Sequence, residues 1–290
     1  MTLGPGIVLL ILAACLSFYA LLIEPLQCEL VQVDIPVSTF PSGFRILFLT
    51  DMHHHQWGKR EAAFVRCLPA SPVDIIVFGG DFLGSKAGIA TSVRFVSLVR
   101  DRYPDTPMYG VCGNAEHKLY PDARKAYLHQ LSELGVVMLD NANIKCKVAD
   151  CEINVVGTDD PYYGFHDLDL AFSDVDCDCP SLLITHSPQV IRASLTYKPA
   201  LVLSGHTHGG QVRIPWLGAI RTQNPLSRRI AMGLFTPSEL SAILNVKGDI
   251  SAYLYISRGL GLAFVPHMRW LAPRLLCRPE VTLITITNKP

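Results

Sequence analysis

The sequence predicts an α/β sandwich carried on an N-terminal membrane helix. Three observations lead there. The first 23 residues contain no charged side chain. Short, continuously apolar runs recur along the rest of the chain, and most of them end in Asp, Asn or His. Between these runs lie segments whose apolar residues return at helical spacing. With 290 residues, 49% of them hydrophobic, the chain can bury a sizeable core in one large domain.

Taken in order, the opening stretch is "MTLGPGIVLLILAACLSFYALLI". Its apolar run over residues 7–23 is near the lower limit of the about 17–25 residues a spanning helix needs, and residues 3–6 extend it. It lacks the basic n-region of a cleaved signal peptide. "LAAC" at 12–15 has the look of a lipoprotein cleavage box, but the apolar "LSFYALLI" that follows is an unusual start for a mature lipoprotein. We therefore expect a single-pass anchor over residues 1–24 and one catalytic domain over residues 33–290. No Lys or Arg precedes the anchor and Arg45 is the first after it, so charge does not orient it.

"RILFLT" (45–50), "DIIVFGG" (74–80), "PMYGVCG" (107–113), "SLLITH" (181–186) and "ALVLSGH" (200–206) read as strands buried on both faces. Residues 59–68, 89–100 and 123–134 carry helical periodicity. Their alternation with the strands gives the α/β sandwich. The later segments "GQVRIP", "AYLYIS" and "EVTLITIT" alternate more and are expected as antiparallel additions.

Formal net charge is zero, yet residues 1–178 hold 13 Lys/Arg against 22 Asp/Glu, and residues 179–290 hold 12 against 3. Such asymmetry fits an anionic ligand or membrane, or two halves that interleave and cancel. No dense basic run marks a nucleic-acid surface. None of the nine cysteines has structural-zinc spacing, and a large apolar core with an odd cysteine count favours free thiols in a reducing compartment.

The strand ends carry Asp51 and His53, then Asp81, Asn114, His186, and finally His206 and His208. In open α/β sheets ligands sit at the carboxyl ends of strands, so these residues can converge. Imidazole, carboxylate and amide without thiol suit Mn²⁺, Fe²⁺ or Zn²⁺, and one carboxylate can bridge two ions about 3.5–4 Å apart. Gly80, Gly113 and Gly205 each precede a candidate ligand, where the chain has to turn sharply off its strand. Singly, each residue has an ordinary reading: His186 as a packed histidine, Asp81 as a helix N-cap. Their joint occurrence points to metal. Of "HHH" at 53–55 only His53 is assigned, leaving His54 and His55 on a loop. His129, His166 and His267 read as surface residues.

The set "DMH", "GGDF", "GNAEH", "THSPQ" and "GHTHGGQVRIPWLG" resembles the calcineurin-like metallophosphoesterase family. "SRGLG" and "RPEVTLITI" further resemble its membrane-associated YkuE/YaeI-like branch. The resemblance implies a four-layer α-β-β-α sandwich and attack on phosphorus by a hydroxide that two divalent ions, Mn²⁺ foremost, activate. By position it implies Asp51, His53, Asp81 and His208 around one ion and Asp81, Asn114, His186 and His206 around the other, with Asp81 shared.

One departure bears on substrate. Where the family places a proton-donating His after Asn114, this chain has Ala115, and the next histidine is His117. A missing acid costs about 10²–10⁴ in rate where the leaving group needs a proton. A departing phosphate needs it far less than an alkoxide does, since its second pKa is about 6. Ala115 therefore favours a diphosphate substrate, unless His117 serves as the catalytic acid. Residues 261–278 combine Arg269, Arg274 and Arg278 with Phe264, Trp270, Leu275 and Leu276 and suit a lipid–water boundary, as does "RIPWLGAI" (213–220). Together these features are similar to UDP-2,3-diacylglucosamine pyrophosphatases of the LpxG type. That resemblance implies a lipid-linked UDP-sugar substrate, lipid X and UMP as products in lipid A synthesis, and a catalytic domain on the cytoplasmic side of the inner membrane. Another membrane phosphoesterase, acting on phospholipids or cell-wall carriers, and a silent metal-binding scaffold remain open alternatives.

Overall fold

Strands with apolar side chains on both faces must be covered on both faces, and that requirement organises the molecule. The computed structural model describes residues 4–222, 226, 228–248, 250–263 and 271–288. The chain opens with α1 (Pro5–Phe18), which runs on through a π-helical turn (Tyr19–Ile23) and a 3₁₀ turn (Glu24–Leu26). Then come β1 (Glu29–Ile35), β2 (Arg45–Leu49), α2 (Lys59–Cys67), β3 (Ile75–Phe78), α3 (Ile89–Arg102) and β4 (Met108–Gly110). Next are α4 (Pro121–Glu133), β5 (Val136–Met138), β6 (Ala142–Val148), β7 (Cys151–Gly157), α5 (Leu168–Ala171), β8 (Ser181–Thr185) and α6 (Ile191–Ser194). The chain continues through β9 (Leu201–Ser204), β10 (Arg213–Ile214), β11 (Gly218–Ala219), β12 (Gly233–Phe235), α7 (Pro237–Leu244), β13 (Tyr253–Ile256) and β14 (Glu280–Ile286).

Two six-stranded sheets result, ordered β1-β14-β2-β3-β4-β5 and β12-β13-β9-β8-β7-β6. Their facing sides share one core, with Ile46, Phe48, Val77 and Ile284 from the first sheet against Val155, Leu182, Ile184 and Leu203 from the second. The outer face of the first sheet, through Leu47, Ile76 and Phe78, packs on Phe64 of α2, Phe95 of α3 and Tyr127 of α4. The outer face of the second, through Leu183, Val202 and Ile256, packs on Ile191 of α6 and Leu240 of α7. This is the four-layer α-β-β-α sandwich. The five expected strands and three expected helices lie where the periodicity puts them.

Of the late strands, β10 pairs antiparallel with β11 as expected, whereas two differ. β13 pairs parallel to β9 and antiparallel only to β12, and β14 pairs antiparallel to β2 but parallel to β1. Alternation reports which face is buried, not strand direction, which the connections decide. β1 begins at Glu29, ahead of the boundary expected at residue 33. The acidic and basic halves interleave: β14 lies inside the first sheet, and Arg258 pairs with both Glu29 (2.6 Å) and Glu280 (2.5 Å).

Pro5–Leu26 forms 22 helical residues, long and apolar enough to cross a membrane, with Leu9, Leu10, Leu12 and Phe18 exposed. Its last turns are built into the domain. The Arg274 amide donates to the Ala20 carbonyl at 2.8 Å, and the Cys277 amide donates to the buried Glu24 carboxylate at 2.5 Å.

The lipid-boundary reading of residues 261–278 needs correction at Arg274, which is fully buried. Its guanidinium donates to the carbonyls of Arg258 (2.9 Å), Gly259 (3.0 Å), Gly261 (2.6 Å) and Cys277 (2.9 Å). Among the described residues no carboxylate pairs with it. Backbone oxygens alone satisfy the charge, through the fixed fork that only arginine presents. Phe264, His267, Arg269 and Trp270 lie outside the described residues.

Arg274→Ala should destabilise the domain by about 3 kcal/mol or more, since hydrogen bonds to a charged group contribute about 1.5–3 kcal/mol each. Arg274→Lys should recover little of that. Urea denaturation of the solubilised chain checks both, and a wild-type midpoint for the alanine variant would remove Arg274 as a strut.

Candidate metal centre

Parallel strands point their carboxyl ends the same way, so β2, β3 and β4 of one sheet and β8 and β9 of the other deliver their following loops to a single place. The backbones there are stitched together. The Asp51 amide donates to Gly80 O and the His53 amide to Asp81 O, both at 3.0 Å, and the Gly205 amide donates to His186 O at 3.0 Å. Five of the candidate ligands hold positive φ: Asp51 (52°), His53 (43°), Asp81 (51°), His206 (69°) and His208 (50°). Non-glycine residues adopt this region rarely, and such strain collects at functional sites. Two glycines leave room for the carboxylates. A Cβ on Gly113 would lie 2.4 Å from Asp81 Oδ1, and one on Gly205 would lie 2.2 Å from Asp51 Oδ2.

All seven expected ligands meet. His53 Nε2 lies 3.0 Å from His208 Nε2 and 3.3 Å from Asp81 Oδ2. His208 Nε2 lies 3.3 Å from Asp51 Oδ1. Asp81 Oδ2 is also 3.4 Å from His186 Nε2, and that nitrogen is 3.3 Å from Asn114 Oδ1 and 3.1 Å from His206 Nδ1. Asp51, His53 and His208 form one ligand group and Asp51, Asp81 and His186 another. One Asp81 oxygen faces a histidine of each group, while its other oxygen accepts the Ala115 amide at 2.6 Å.

The donor set fits a cation. His186 gives its Nδ1–H to Gly79 O at 2.8 Å, which turns Nε2 toward Asp81, Asn114 and His206. Burial opposes a charge on that ring, but Asp81, Asp51 and Asp160 lift its pKa to about 10. Those carboxylates make the position one where positive charge is stabilised. Burial pushes His53 down to about 4 and His206 to about 3, and holds His208 well below its ordinary value. Neutral imidazole is the form that ligates metal. Burial also pushes Asp51 up to about 6, whereas for Asp81 it is outweighed by the facing His186 and His53, which hold that carboxyl well below the usual range. His206 Nε2 and His208 Nδ1 are buried without a hydrogen-bond partner.

His117 is placed elsewhere. Its Nε2 meets Asp159 Oδ1 at 2.6 Å, its Nδ1 meets the Arg124 guanidinium, and its ring stacks on Phe165 with centroids 4.3 Å apart. The cleft over the metal candidates, about 340 Å³, is lined instead by Ala115, Lys118, Tyr120, Ser85, Lys86, Leu262 and Ala263 around His53, Asp81, Asn114, His206 and His208. The sequence reading missed the two lysines, because isolated surface lysines carry no spacing signal. It also missed Glu116, although the acidic position of the "GNAEH" motif marks it. Glu116 is fully buried and accepts the amides of Asp81 (3.0 Å), Gly113 (2.9 Å) and Leu83 (3.2 Å), tying the Asp81 loop to the Asn114 loop. His54 is no loop-surface residue. It is fully buried against Phe95 and lies 3.7 Å from Glu61, while His55 contacts Ser85 at 3.1 Å. His129 is exposed and His166 half-buried.

The model of the calcineurin-like phosphoesterases matches residues 44–210, more than half of the chain. The chain belongs to the calcineurin-like phosphoesterase family. It is 27% identical over 276 residues to the metallophosphoesterase YkuE of Bacillus subtilis, covering 93% of this chain and 89% of that one. It is 26% identical over 249 residues to the phosphodiesterase YaeI of Escherichia coli, covering 84% and 82%. To the UDP-2,3-diacylglucosamine pyrophosphatase LpxG of Chlamydia trachomatis it is 31% identical over 138 residues, covering 48% of this chain and 38% of that one. Within this calcineurin-like phosphoesterase, residues of both sheets thus form a candidate metal-binding site.

Asp81→Ala should abolish turnover and strip bound metal. The loss should go well beyond the roughly 10–100-fold that removing an outer partner of a metal ligand costs. Glu116→Gln should fall within that roughly 10–100-fold range in metal affinity, because an amide NH₂ must then face a backbone N–H. Metal analysis after titration with a chelator reads both, and wild-type retention by Glu116→Gln would discard the tie between the loops.

Proposed function

We propose that this phosphoesterase hydrolyses the diphosphate of a membrane-embedded nucleotide sugar, UDP-2,3-diacylglucosamine, to lipid X and UMP. Two divalent ions serve it, Mn²⁺ foremost, with Fe²⁺ or Zn²⁺ as alternatives. Asp51, His53, Asp81 and His208 would hold one ion and Asp81, Asn114, His186 and His206 the other. Bound there, the ions would lower the pKa of the attacking water and stabilise charge on the phosphoryl oxygens.

The observation that carries the substrate class is Ala115 in the cleft with His117 turned to Asp159. No histidine of the "GNAEH" loop lines the cleft, so the leaving group must depart without a proton from that loop. A phosphate can do so and an alkoxide cannot readily. Lys118, one residue beyond His117, lines the cleft, as does Lys86. Two ammonium groups in the lining would match the second phosphate of a diphosphate and neutralise it as it leaves. The Ala115 amide still fixes Asp81 Oδ1, so the loop keeps its structural duty without the acid. The apolar Pro5–Leu26 helix supports a substrate held in lipid, and a nucleotide substrate would be met on the cytoplasmic side of an inner membrane. Similarity to LpxG supports the choice of sugar nucleotide over part of the chain only.

A second reading, a membrane phosphodiesterase, is favoured by the longer alignment with YaeI. Purified chain with Mn²⁺, given UDP-2,3-diacylglucosamine and a chromogenic aryl phosphodiester in parallel, separates them. UMP release supports the proposal. Aryl ester cleavage alone supports the phosphodiesterase, and inactivity on both with metal bound leaves a silent scaffold.

On the diphosphate, His117→Ala should stay within a few-fold of wild type rather than lose the about 10²–10⁴ that a general acid is worth. Lys118→Met should lower kcat/KM by about tenfold, in keeping with one exposed charge–phosphate contact of about 1–2 kcal/mol. Steady-state kinetics on both variants decide which residue serves the leaving group.

A further inference from the structure

Five residues after His208 the chain forms a small antiparallel hairpin, β10 and β11, joined by Pro215-Trp216-Leu217. Trp216 is completely exposed, and Ile214, Leu217 and Ile220 beside it are exposed as well. Trp216 also holds φ at 65°, a left-handed conformation that costs a bulky residue energy and that a turn would ordinarily give to glycine. A large apolar ring held outward at that cost, and covered by none of the described residues, indicates a surface that something else covers.

Two parts of the molecule lie next to it. The hairpin stem pairs with the 274–277 segment: Leu275 N donates to Gln211 O at 2.8 Å and Arg213 N donates to Leu275 O at 3.0 Å. That same segment bonds Ala20 and Glu24 at the end of the apolar helix, and Leu276 within it is exposed. The 274–277 segment, which carries Leu276, thus links the hairpin to the end of the helix through bonds to backbone and to the Glu24 carboxylate. Arg213 and Arg221 adjoin these residues in sequence, and tryptophan with arginine beside aliphatic residues suits the headgroup boundary. On the other side, the Gln211 side chain brackets Ala263 with hydrogen bonds of 2.7 and 2.6 Å, and Ala263 lines the metal-site cleft.

We propose that the hairpin is a second membrane contact: Trp216, Leu217 and Ile214 insert into the bilayer surface beside the anchor and hold the mouth of the cleft against lipid. The inference rests on the anchor reading for its placement, but its test does not. The chain has three tryptophans, so Trp57→Phe with Trp270→Phe leaves Trp216 as the sole emitter. The full chain carrying both changes is reconstituted in vesicles of equal parts phosphatidylethanolamine and phosphatidylglycerol, with and without bromine midway along the acyl chains. Insertion predicts a blue-shifted emission that loses most of its intensity in the brominated vesicles. A water-like emission with equal intensity in both overturns the hairpin contact, and so does a blue shift that follows protein concentration rather than lipid, which would mean a second copy covers the patch. Alkaline extraction of the same vesicles reports on the anchor separately: a chain that washes off yet remains quenched while bound loses the anchor and keeps the hairpin. A chain that resists extraction with Trp216 unquenched keeps the anchor and loses the hairpin.

Discussion

Buried carboxylates sharing one small space dictate the rest of this molecule. Asp51, Asp81 and Glu116 lie out of water within the same cluster of loops. Like charges so placed cannot all remain ionised unless something positive or hydrogen-bonding answers each of them. Backbone amides answer part of the demand: those of His206, Ala115, Gly113 and Leu83 all aim at these oxygens. Aiming amides this way bends the chain into left-handed turns and requires glycines where loops nearly touch. Turns so costly persist only on a rigid base, which the shared core of the two sheets supplies. What the amides leave over is the demand that cations would meet.

Much of this was legible in the residues themselves. Doubly buried strands show as unbroken apolar runs, and although any one polar residue ending such a run has an ordinary reading, its recurrence at five strand ends points to a shared site. That recurrence is what makes the cluster around Asp81 legible in the sequence. Strand direction was not legible for β13 and β14, because pleat alternation is the same whichever way a neighbour runs. Arg274 read as a surface cation because its partners are peptide carbonyls, which leave no mark in a sequence. His54 read as part of a polar run because its cover, Phe64 and Phe95, comes from two distant helices. The lysines at the cleft became visible only once loops distant in the chain were seen to face each other.

The loop after β4 shows how one position can change without dissolving a site. Ala115 contributes its amide to Asp81, and Glu116 contributes its carboxylate to three amides, so the loop's structural work passes through its backbone and its acid. The Ala115 methyl carries none of that work. His117, meanwhile, belongs to a separate polar group with Asp159 and Arg124. Function at this centre is divided between a framework that has to be kept and a rim that can be retuned.

The place of β14 in the first sheet sets an order on synthesis. It sits between β1 and β2, although it leaves the ribosome after every other strand described. Among the described strands β1 pairs with β14 alone, so it has no partner until β14 has been made. Throughout translation, β2 keeps an open edge where β14 will later lie, exactly the sort of ladder that invites misassociation. That gap therefore has to stay shielded until β14 arrives, and the open β2 edge is where misassociation would begin.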